Sequence, residues 1–309
     1  MAETRVFFEP KIPVHDPALY AFERLEDGVP ADAAEAALAR YHEDGFLLVR
    51  GLLPEGEVHA ARRELEAMAR ADAPACSMIW YEGALRDHLD LDPARDREID
   101  GKVSGIGFAA GQEDARLPAL DPELRARYVR KLGGFVKRNP ALGHLARHPA
   151  LMALVEQLVG ASPALFQDMA LVKPARGREK PWHQDHAYFN VTLDTPIVGV
   201  WIPMGSVTPE NGCMHLLAGG HKAGARIHFK RRDWQICDTD VPTADRVAVP
   251  MGVGDVLLFD GKLPHGTPIN RTDQFRWAVQ YHYRPKGAVK TDDEARLAAF
   301  GSEGRDVTC

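Results

Sequence analysis

The stretch FRWAVQYHYR, residues 275–284, alternates between two kinds of side chain. Successive side chains of a β-strand point to opposite faces. One face would carry the apolar set Trp277, Val279, Tyr281 and Tyr283, and the other the largely polar set Arg276, Ala278, Gln280 and His282. The run therefore predicts a strand whose apolar face lies under a helical layer and whose polar face lines a cavity.

Other short strand-like runs, punctuated by Gly, Pro and Asn, precede this one at residues 164–174, 196–204, 213–219, 245–250 and 254–261. Many short strands at close spacing are typical of a sandwich or jelly-roll barrel. The first half differs, because apolar residues recur there at helical spacing. This spacing predicts helices near residues 34–45, 54–68, 122–132 and 149–160. The sequence thus indicates a mainly β protein with an added helical layer.

The length of 309 residues favours a single domain, residues 1–309. Within it we expect largely helical support and a lid region in residues 1–160, a catalytic β-core in 161–285 and a C-terminal tail in 286–309. The irregular stretch near 72–120 is long and rich in Gly, Asp and Pro. Such segments are often lids or binding loops, and the alternative is a solvated connector. As a lid, it would enclose substrate with Met78, Trp80, Tyr81 and Lys102.

Charge and hydropathy narrow the range of partners. The chain has 38 Lys and Arg against 44 Asp and Glu, a net charge of −6, so nothing in its charge points to nucleic acid. No apolar run approaches the length of a membrane span, and the N-terminus lacks the apolar core of a signal peptide. We therefore expect a cytoplasmic protein, a monomer or homodimer, with no nucleic-acid or membrane partner.

A His-x-Asp pair occurs three times, at His42/Asp44, His88/Asp90 and His183/Asp185. The first lies at a predicted helix end, where residues two apart do not share a face. The second lies in a charged stretch typical of a solvated surface. The third lies in KPWHQDHAYF, residues 180–189, just after a strand-like run. On an extended segment, residues two apart point the same way, so this third pair is the candidate for two metal ligands.

The segment GDVLLFDGKLPHGT, residues 254–267, offers a distal histidine, His265. Two imidazoles and one carboxylate form the facial triad of non-haem iron oxygenases, which leaves positions open for co-substrate and O₂. Eleven residues later comes Arg276, whose guanidinium suits the C5 carboxylate of 2-oxoglutarate because it binds carboxylates by two parallel hydrogen bonds. Taken singly, His265 is more often a turn histidine and Arg276 a surface charge. The ordered combination favours the metal site.

With these residues, the sequence resembles the phytanoyl-CoA dioxygenase family of iron(II)/2-oxoglutarate oxygenases. The resemblance covers roughly residues 160–285 and is carried by LFQDMALVKP, PWHQD, VGVWIPM, TPENGCMHLLAGGHK, VGDVLLFDGKLPHGT and FRWAVQYHY. The N-terminal half matches loosely, and the chain ends in DVTC rather than a peroxisomal Ser-Lys-Leu.

The resemblance implies a double-stranded β-helix, a cupin-like jelly roll of two sheets with helices packed on one. It implies that His183, Asp185 and His265 are both the metal ligands and the catalytic centre for iron(II), 2-oxoglutarate and O₂. The implied co-substrate residues are Arg276, Thr267, Trp201 and either Gln167 or Lys173, with Lys102 as a weaker candidate. Candidate substrate contacts are His186, Tyr188, Met78, Trp80, Lys102, Met214 and Trp234, although ordinary packing is the commoner role for each.

The sequence favours a dioxygenase that hydroxylates a small metabolite or natural-product intermediate and releases succinate and CO₂. We expect hydroxylation rather than halogenation, because Asp185 fills the position that such halogenases leave for chloride. Two alternatives remain at this point. One is a non-catalytic jelly-roll protein that binds a small molecule. The other is a cupin-type metalloenzyme that does not use 2-oxoglutarate and would not need Arg276.

Overall fold

Two β-sheets face each other in the computed structural model, which describes residues 16–72, 74–89, 106–109, 117–160 and 162–301, without the side chains of 106–109. The strands are β1 (Arg24–Leu25), β2 (Val29–Pro30), β3 (Phe46–Arg50), β4 (Met78–Tyr81), β5 (Ile106–Ala109), β6 (Val129–Gly133), β7 (Pro163–Lys173), β8 (Lys180–His183), β9 (Val198–Pro203), β10 (Met214–Leu217), β11 (His228–Lys230), β12 (Trp234–Ile236), β13 (Arg246–Val249), β14 (Val256–Asp260), β15 (His265–Thr267) and β16 (Arg276–Pro285). The helices are α1 (Leu38–Asp44), α2 (Glu55–Arg70), α3 (Pro122–Arg127), α4 (Pro140–Leu145), α5 (Pro149–Val159) and α6 (Asp293–Phe300).

The large sheet has nine strands in the order β2-β3-β14-β9-β16-β7-β6-β4-β5. The small sheet has five in the order β1-β13-β10-β15-β8, and β11 and β12 form a separate hairpin. All pairings in the two sheets are antiparallel except β1 with β13 and β2 with β3. From β7 to β10, and again from β13 to β16, consecutive strands alternate between the sheets, which is the arrangement predicted for a double-stranded β-helix.

Apolar side chains from both sheets meet in the space between them. Trp201 and Phe259 of the large sheet pack there with Met214 and Leu216 of the small one. The outer face of the large sheet carries a second and larger core, in which Leu65 of α2 and other helical residues pack on the strands. As predicted, the apolar side chains of β16 belong to this second core: Trp277, Val279, Tyr281 and Tyr283.

Three features correct the sequence predictions. The helix expected over residues 122–132 ends at Arg127, and β6 follows it as a strand of the large sheet. The N-terminal part is therefore not only helical support, since it contributes β1 to β6 to the sheets. The segment expected to be a tail contains α6, whose Phe300 is buried. Among the described residues, no helix is both long enough and apolar enough to cross a bilayer.

The segment predicted to be a lid is only partly described, and Lys102 lies outside the described residues. Its first part is not a loop but the strand β4, with β5 paired to it. Ile79 and Tyr81 are buried in the helix-side core, so Tyr81 cannot contact substrate as expected. Met78 and Trp80 alternate with them and remain 40% and 37% exposed on the opposite face.

Helix packing on the outer face of the large sheet gives a stability prediction. Leu154 of α5 is 2% exposed in the helix-side core. We expect Leu154→Ala to lower the free energy of unfolding by about 2–5 kcal/mol, because it removes buried methyl groups and leaves a cavity. Urea denaturation of the purified protein measures this change. Glu156→Ala changes an exposed residue of the same helix and should stay within about 0.5 kcal/mol. Equal losses in the two variants would contradict the packing described.

Candidate metal centre

Two strands of the small sheet bring the predicted metal ligands together. His183 ends β8 and His265 begins β15, and the two residues are register partners. Asp185 opens the short 3₁₀ turn Asp185–Tyr188 that follows β8. Their exposures are 6% for His183, 6% for Asp185 and 2% for His265, and their ligand atoms lie within 4.8 Å of one another. Within the described part of the chain, no other group of three such side chains meets this condition.

Backbone carbonyls fix the orientation of both imidazoles. Nδ1 of His183 lies 2.8 Å from the carbonyl oxygen of Pro181, and Nδ1 of His265 lies 2.9 Å from that of Leu263. A carbonyl only accepts, so each Nδ1 must carry the proton. Nε2 of each ring then bears a lone pair and points toward Asp185. Burial, followed by the charge of His183, lowers the pKa of His265 to about 4, so His265 is neutral at pH 7 and suited to bind a metal.

The two carboxylate oxygens of Asp185 have different neighbours. Oδ1 lies 3.5 Å from Nε2 of His183 and 3.7 Å from Nε2 of His265. Oδ2 accepts a hydrogen bond from Nε2 of Gln280 at 2.7 Å and lies 2.8 Å from Nε2 of His282. Burial alone would raise the pKa of Asp185, but the nearby imidazoles and hydrogen bonds hold it well below its usual range. The side chain is therefore an anion in a nearly closed site.

The middle residue of the motif, Gln184, is fully buried and faces away from the metal ligands. Its amide nitrogen donates to the carbonyl oxygens of Gly224 and Lys262, at 2.8 and 2.6 Å. Its amide oxygen accepts from the backbone N–H of Arg226 at 2.8 Å, and its own backbone N–H donates to Nε2 of His228 at 2.9 Å. These bonds fix the segment between the two ligands, so His183 and Asp185 share one side of the chain.

Arg276 is the first residue of β16 and lies on the inner face of the large sheet, opposite the face on which the helices pack. It is 4% exposed, and its Nε and Nη1 have no hydrogen-bond partner. Its guanidinium carbon lies 5.4 Å from the ring centre of Trp201. Burial lowers the pKa of Arg276 to about 10, which still leaves it cationic at pH 7. Burying a cation whose N–H groups have no partner costs free energy, unless an anion accepts hydrogen bonds from them. The pocket around Arg276 therefore suits a carboxylate.

The other predicted co-substrate residues differ in what they contact. Thr267 is 7% exposed, two residues after His265. Gln167 is paired with His282 across a β-bulge, and its amide oxygen is buried without a partner. Lys173, by contrast, donates to the carbonyl oxygens of Arg178, Thr267 and Pro268. Because all three of its N–H groups are used, Lys173 belongs to the frame of the pocket rather than to the co-substrate.

A cation that the sequence reasoning missed lies near the triad. Lys131 of β6 is paired with Trp80 on one side and Leu171 on the other, and Asp185 contributes to its electrostatic surroundings. Burial, then the neighbouring charges of Lys180 and Arg130, lower its pKa to about 8. No hydrogen bond or ion pair from its side chain to another described residue is present. Residues 122–132 had been interpreted as a helix, and no local signal placed Lys131 on this face.

Tyr188, a predicted substrate residue, lies beside the metal ligand His183. Its ring centre lies 5.9 Å from that of His183, and the side chain is 39% exposed. Its hydroxyl accepts from Nζ of Lys180 at 3.0 Å and donates to the carbonyl oxygen of Trp234 at 3.0 Å. Trp234 is 6% exposed and packs edge-on against Tyr188, with a ring distance of 5.0 Å. Trp234 therefore supports Tyr188.

Two predicted substrate residues are packed against other side chains. His186 is 1% exposed and stacks on Phe300 of α6, with ring centres 5.8 Å apart. Met214 is 2% exposed in the core between the sheets. For both, contact with substrate stays a prediction. The residues missed by the sequence reasoning as partners of a metal ligand, Gln280 and His282, lie on the polar face of β16 that the alternating pattern had identified.

Comparison with known proteins tests the family and the fold. Residues 41–278 match the family model described as "Phytanoyl-CoA dioxygenase (PhyH)". The rat protein "Phytanoyl-CoA dioxygenase, peroxisomal" is 26% identical over 256 residues, which is 79% of this chain. The chain spans 66% of the length of that relative.

Two solved structures share the fold. The non-haem monooxygenase ThoJ matches with a TM-score of 0.59 and 21% identity, over 82% of this chain and 79% of its own. The epimerase SnoN, in complex with Fe³⁺, α-ketoglutarate and nogalamycin RO, matches with a TM-score of 0.57 and 20% identity, over 90% of this chain and 94% of its own. These likenesses confirm the predicted jelly-roll fold. With the match over residues 41–278, the predicted family is confirmed as well: the chain belongs to the phytanoyl-CoA dioxygenase family.

Proposed function

We propose that this protein is an iron(II)- and 2-oxoglutarate-dependent dioxygenase that hydroxylates a small molecule, with release of succinate and CO₂. The observation that carries the proposal is that two buried groups lie between the same two sheets. One is the group His183, Asp185 and His265, and the other is the guanidinium of Arg276 with its unpaired N–H groups. The family supports the same cofactor set, iron with 2-oxoglutarate and O₂.

The side chains present fit a ferrous ion. Two neutral imidazoles and one carboxylate are the donor set of the non-haem iron oxygenases. When bound, iron together with 2-oxoglutarate and O₂ supplies the oxidising chemistry. The chain's own part is to hold the donors in place, through the carbonyl contacts of His183 and His265, and to exclude water from a site whose ligands are 2–6% exposed.

The side chains also fit 2-oxoglutarate. Arg276 would hold the C5 carboxylate, since its free N–H groups can donate to both carboxylate oxygens. Trp201 lies beside the guanidinium, and Thr267 offers a hydroxyl two residues from a ligand histidine. Lys131 supplies a second cation near Asp185 for a further acidic group. A cupin-type enzyme that does not use 2-oxoglutarate would leave the buried Arg276 unexplained.

The substrate would enter where the inner face of the large sheet remains exposed. Met78 and Trp80 on this face, and Tyr188 beside His183, are 37–40% exposed and offer apolar surface. Hydroxylation rather than halogenation is the outcome we propose, because a carboxylate, Asp185, occupies the third ligand position. Of the segment that the sequence predicts to be a lid, residues 90–105 lie outside the described structure.

The reaction is tested by following succinate formation and O₂ uptake with Fe(II) and 2-oxoglutarate while a panel of small molecules is added. We expect a slow basal turnover that one class of compound stimulates, with hydroxylated product equal to the stimulated succinate. His265→Ala should abolish both the basal and the stimulated rates. Succinate formation that is the same in the parent and in His265→Ala at every iron concentration would contradict the proposal.

Iron binding itself gives a second prediction. His265→Ala removes one of three protein ligands from a site without a spare, so we expect the affinity for Fe(II) to fall by more than the roughly 10- to 100-fold typical of changes around a metal site. Anaerobic titration with Fe(II) measures the affinity. His215→Ala is the matched control. His215 is also a buried histidine and is not a ligand, and it lies opposite Gly266, the residue that follows His265. Similar iron affinity in the two variants would place the metal elsewhere.

The co-substrate clamp gives a third prediction. Arg276→Lys keeps the charge but loses the two-pronged geometry, so the KM for 2-oxoglutarate should rise roughly ten- to hundredfold, as for a lost hydrogen bond to a charged group. Thr267→Val should raise it about fivefold, for about 1 kcal/mol. Arg284→Lys, near the end of the same strand, is the control and should leave KM unchanged. An unaltered KM in Arg276→Lys would show that another group binds the C5 carboxylate.

A further inference from the structure

The inner face of β16 carries two side chains that converge on a single oxygen atom. Gln280 and His282 are 4% and 1% exposed, and both reach Oδ2 of Asp185, at 2.7 and 2.8 Å. Arg276 and Ala278 precede them on the same face. This strand therefore bears both the guanidinium assigned to 2-oxoglutarate and two partners of the carboxylate ligand, on one rigid element.

The direction of both hydrogen bonds follows from the chemistry of the acceptor. An ionised carboxylate only accepts hydrogen bonds, and the amide nitrogen of Gln280 lies 2.7 Å from Oδ2 as a donor. Gln280 must therefore present its N–H group, because its amide oxygen would repel Oδ2. His282 donates to Oδ2 in the tautomer that carries its proton on Nε2, and this nitrogen also lies 3.1 Å from the amide nitrogen of Gln280. An oxygen with two lone pairs that accepts two hydrogen bonds has none left to offer to a metal.

The other oxygen is placed differently. Oδ1 is the atom near Nε2 of His183 and Nε2 of His265, at 3.5 and 3.7 Å, so it faces the other two ligand atoms. The environment thus distinguishes the two oxygens before any metal binds. From this asymmetry we propose, on the basis of the function proposed above, that Gln280 and His282 are positioning residues that restrict Asp185 to binding iron through Oδ1 alone.

The consequence concerns the number of open positions on the metal. An iron held by three protein atoms would keep open positions for 2-oxoglutarate and O₂. A carboxylate bound through both oxygens would take one of these. Side chains around a metal site commonly set the orientation of its ligands in this way. Gln280 and His282 would preserve room for the chelate, while Arg276 holds its far end.

Variants that keep shape and remove the donors test this. Gln280→Met and His282→Phe, singly and together, leave Asp185 in place without its two hydrogen bonds. Tyr281→Phe is the matched control, because it removes a hydrogen bond from the intervening residue to the carbonyl oxygen of Leu142, on the opposite face of β16. His282→Gln restores an N–H donor and should recover part of any loss. Thermal unfolding confirms which variants are folded.

Two anaerobic measurements separate the outcomes. The visible charge-transfer band of iron-chelated 2-oxoglutarate reports the chelate, and the affinity for glutarate, which has the two carboxylates but no keto oxygen, reports the Arg276 clamp. In the double variant we expect Fe(II) affinity to fall about 10- to 100-fold. At saturating iron, 2-oxoglutarate affinity should fall about tenfold or more while glutarate affinity stays within about twofold.

A double variant that binds Fe(II) and 2-oxoglutarate as tightly as Tyr281→Phe does would overturn the inference and leave the proposed function standing. Equal losses of 2-oxoglutarate and glutarate affinity would also overturn it, because a general distortion of the strand would then explain the effect. A parent protein that shows no charge-transfer band with Fe(II) and 2-oxoglutarate would overturn the proposed function and this inference together.

Discussion

The structure depends on keeping one carboxylate, that of Asp185, ionised in a site where it is 6% exposed. Removing an ion from water costs several kcal/mol unless charges or hydrogen bonds compensate it. Here the compensation comes from the opposite sheet: Asp185 follows β8 of the small sheet, while its partners Gln280 and His282 lie on β16 of the large one. The two sheets must therefore hold a fixed relation to each other, and the apolar core between them provides it.

The two faces of strand β16 have different roles: one packs in the helix-side core, and the other carries residues of the site. Its outward side chains, such as Tyr281 and Tyr283, pack under the helices and bond to helical carbonyl oxygens. Its inward side chains, Arg276, Gln280 and His282, are polar and buried, which costs free energy in the absence of ligands. Burying a large apolar layer on the other face offsets that cost. A cation such as Arg276 can then remain without a partner, ready for a carboxylate.

The sequence was sufficient to predict the parts of the site that follow from local periodicity. The two-residue alternation of β16, the His-x-Asp spacing and the distal His265 identified the metal residues and the polar face. It failed where pairing between distant segments decides the structure: residues 129–133 look helical beside Leu124 and Tyr128, but pair with β4 and β7 as a strand. Lys131 was missed for that reason. The packing of His186 and Met214 was not predicted either, because spacing alone does not show which side of a turn or strand is packed.

The central claim is that the iron and the far carboxylate of 2-oxoglutarate are held between the same two sheets. The most direct measurement is a crystal structure of the protein grown anaerobically with Fe(II) and 2-oxoglutarate, with anomalous scattering recorded at the iron edge. We predict one iron peak per chain within bonding distance of Nε2 of His183, Oδ1 of Asp185 and Nε2 of His265. The C5 carboxylate should lie against the guanidinium of Arg276. An iron peak elsewhere, or 2-oxoglutarate bound away from Arg276, would contradict the account.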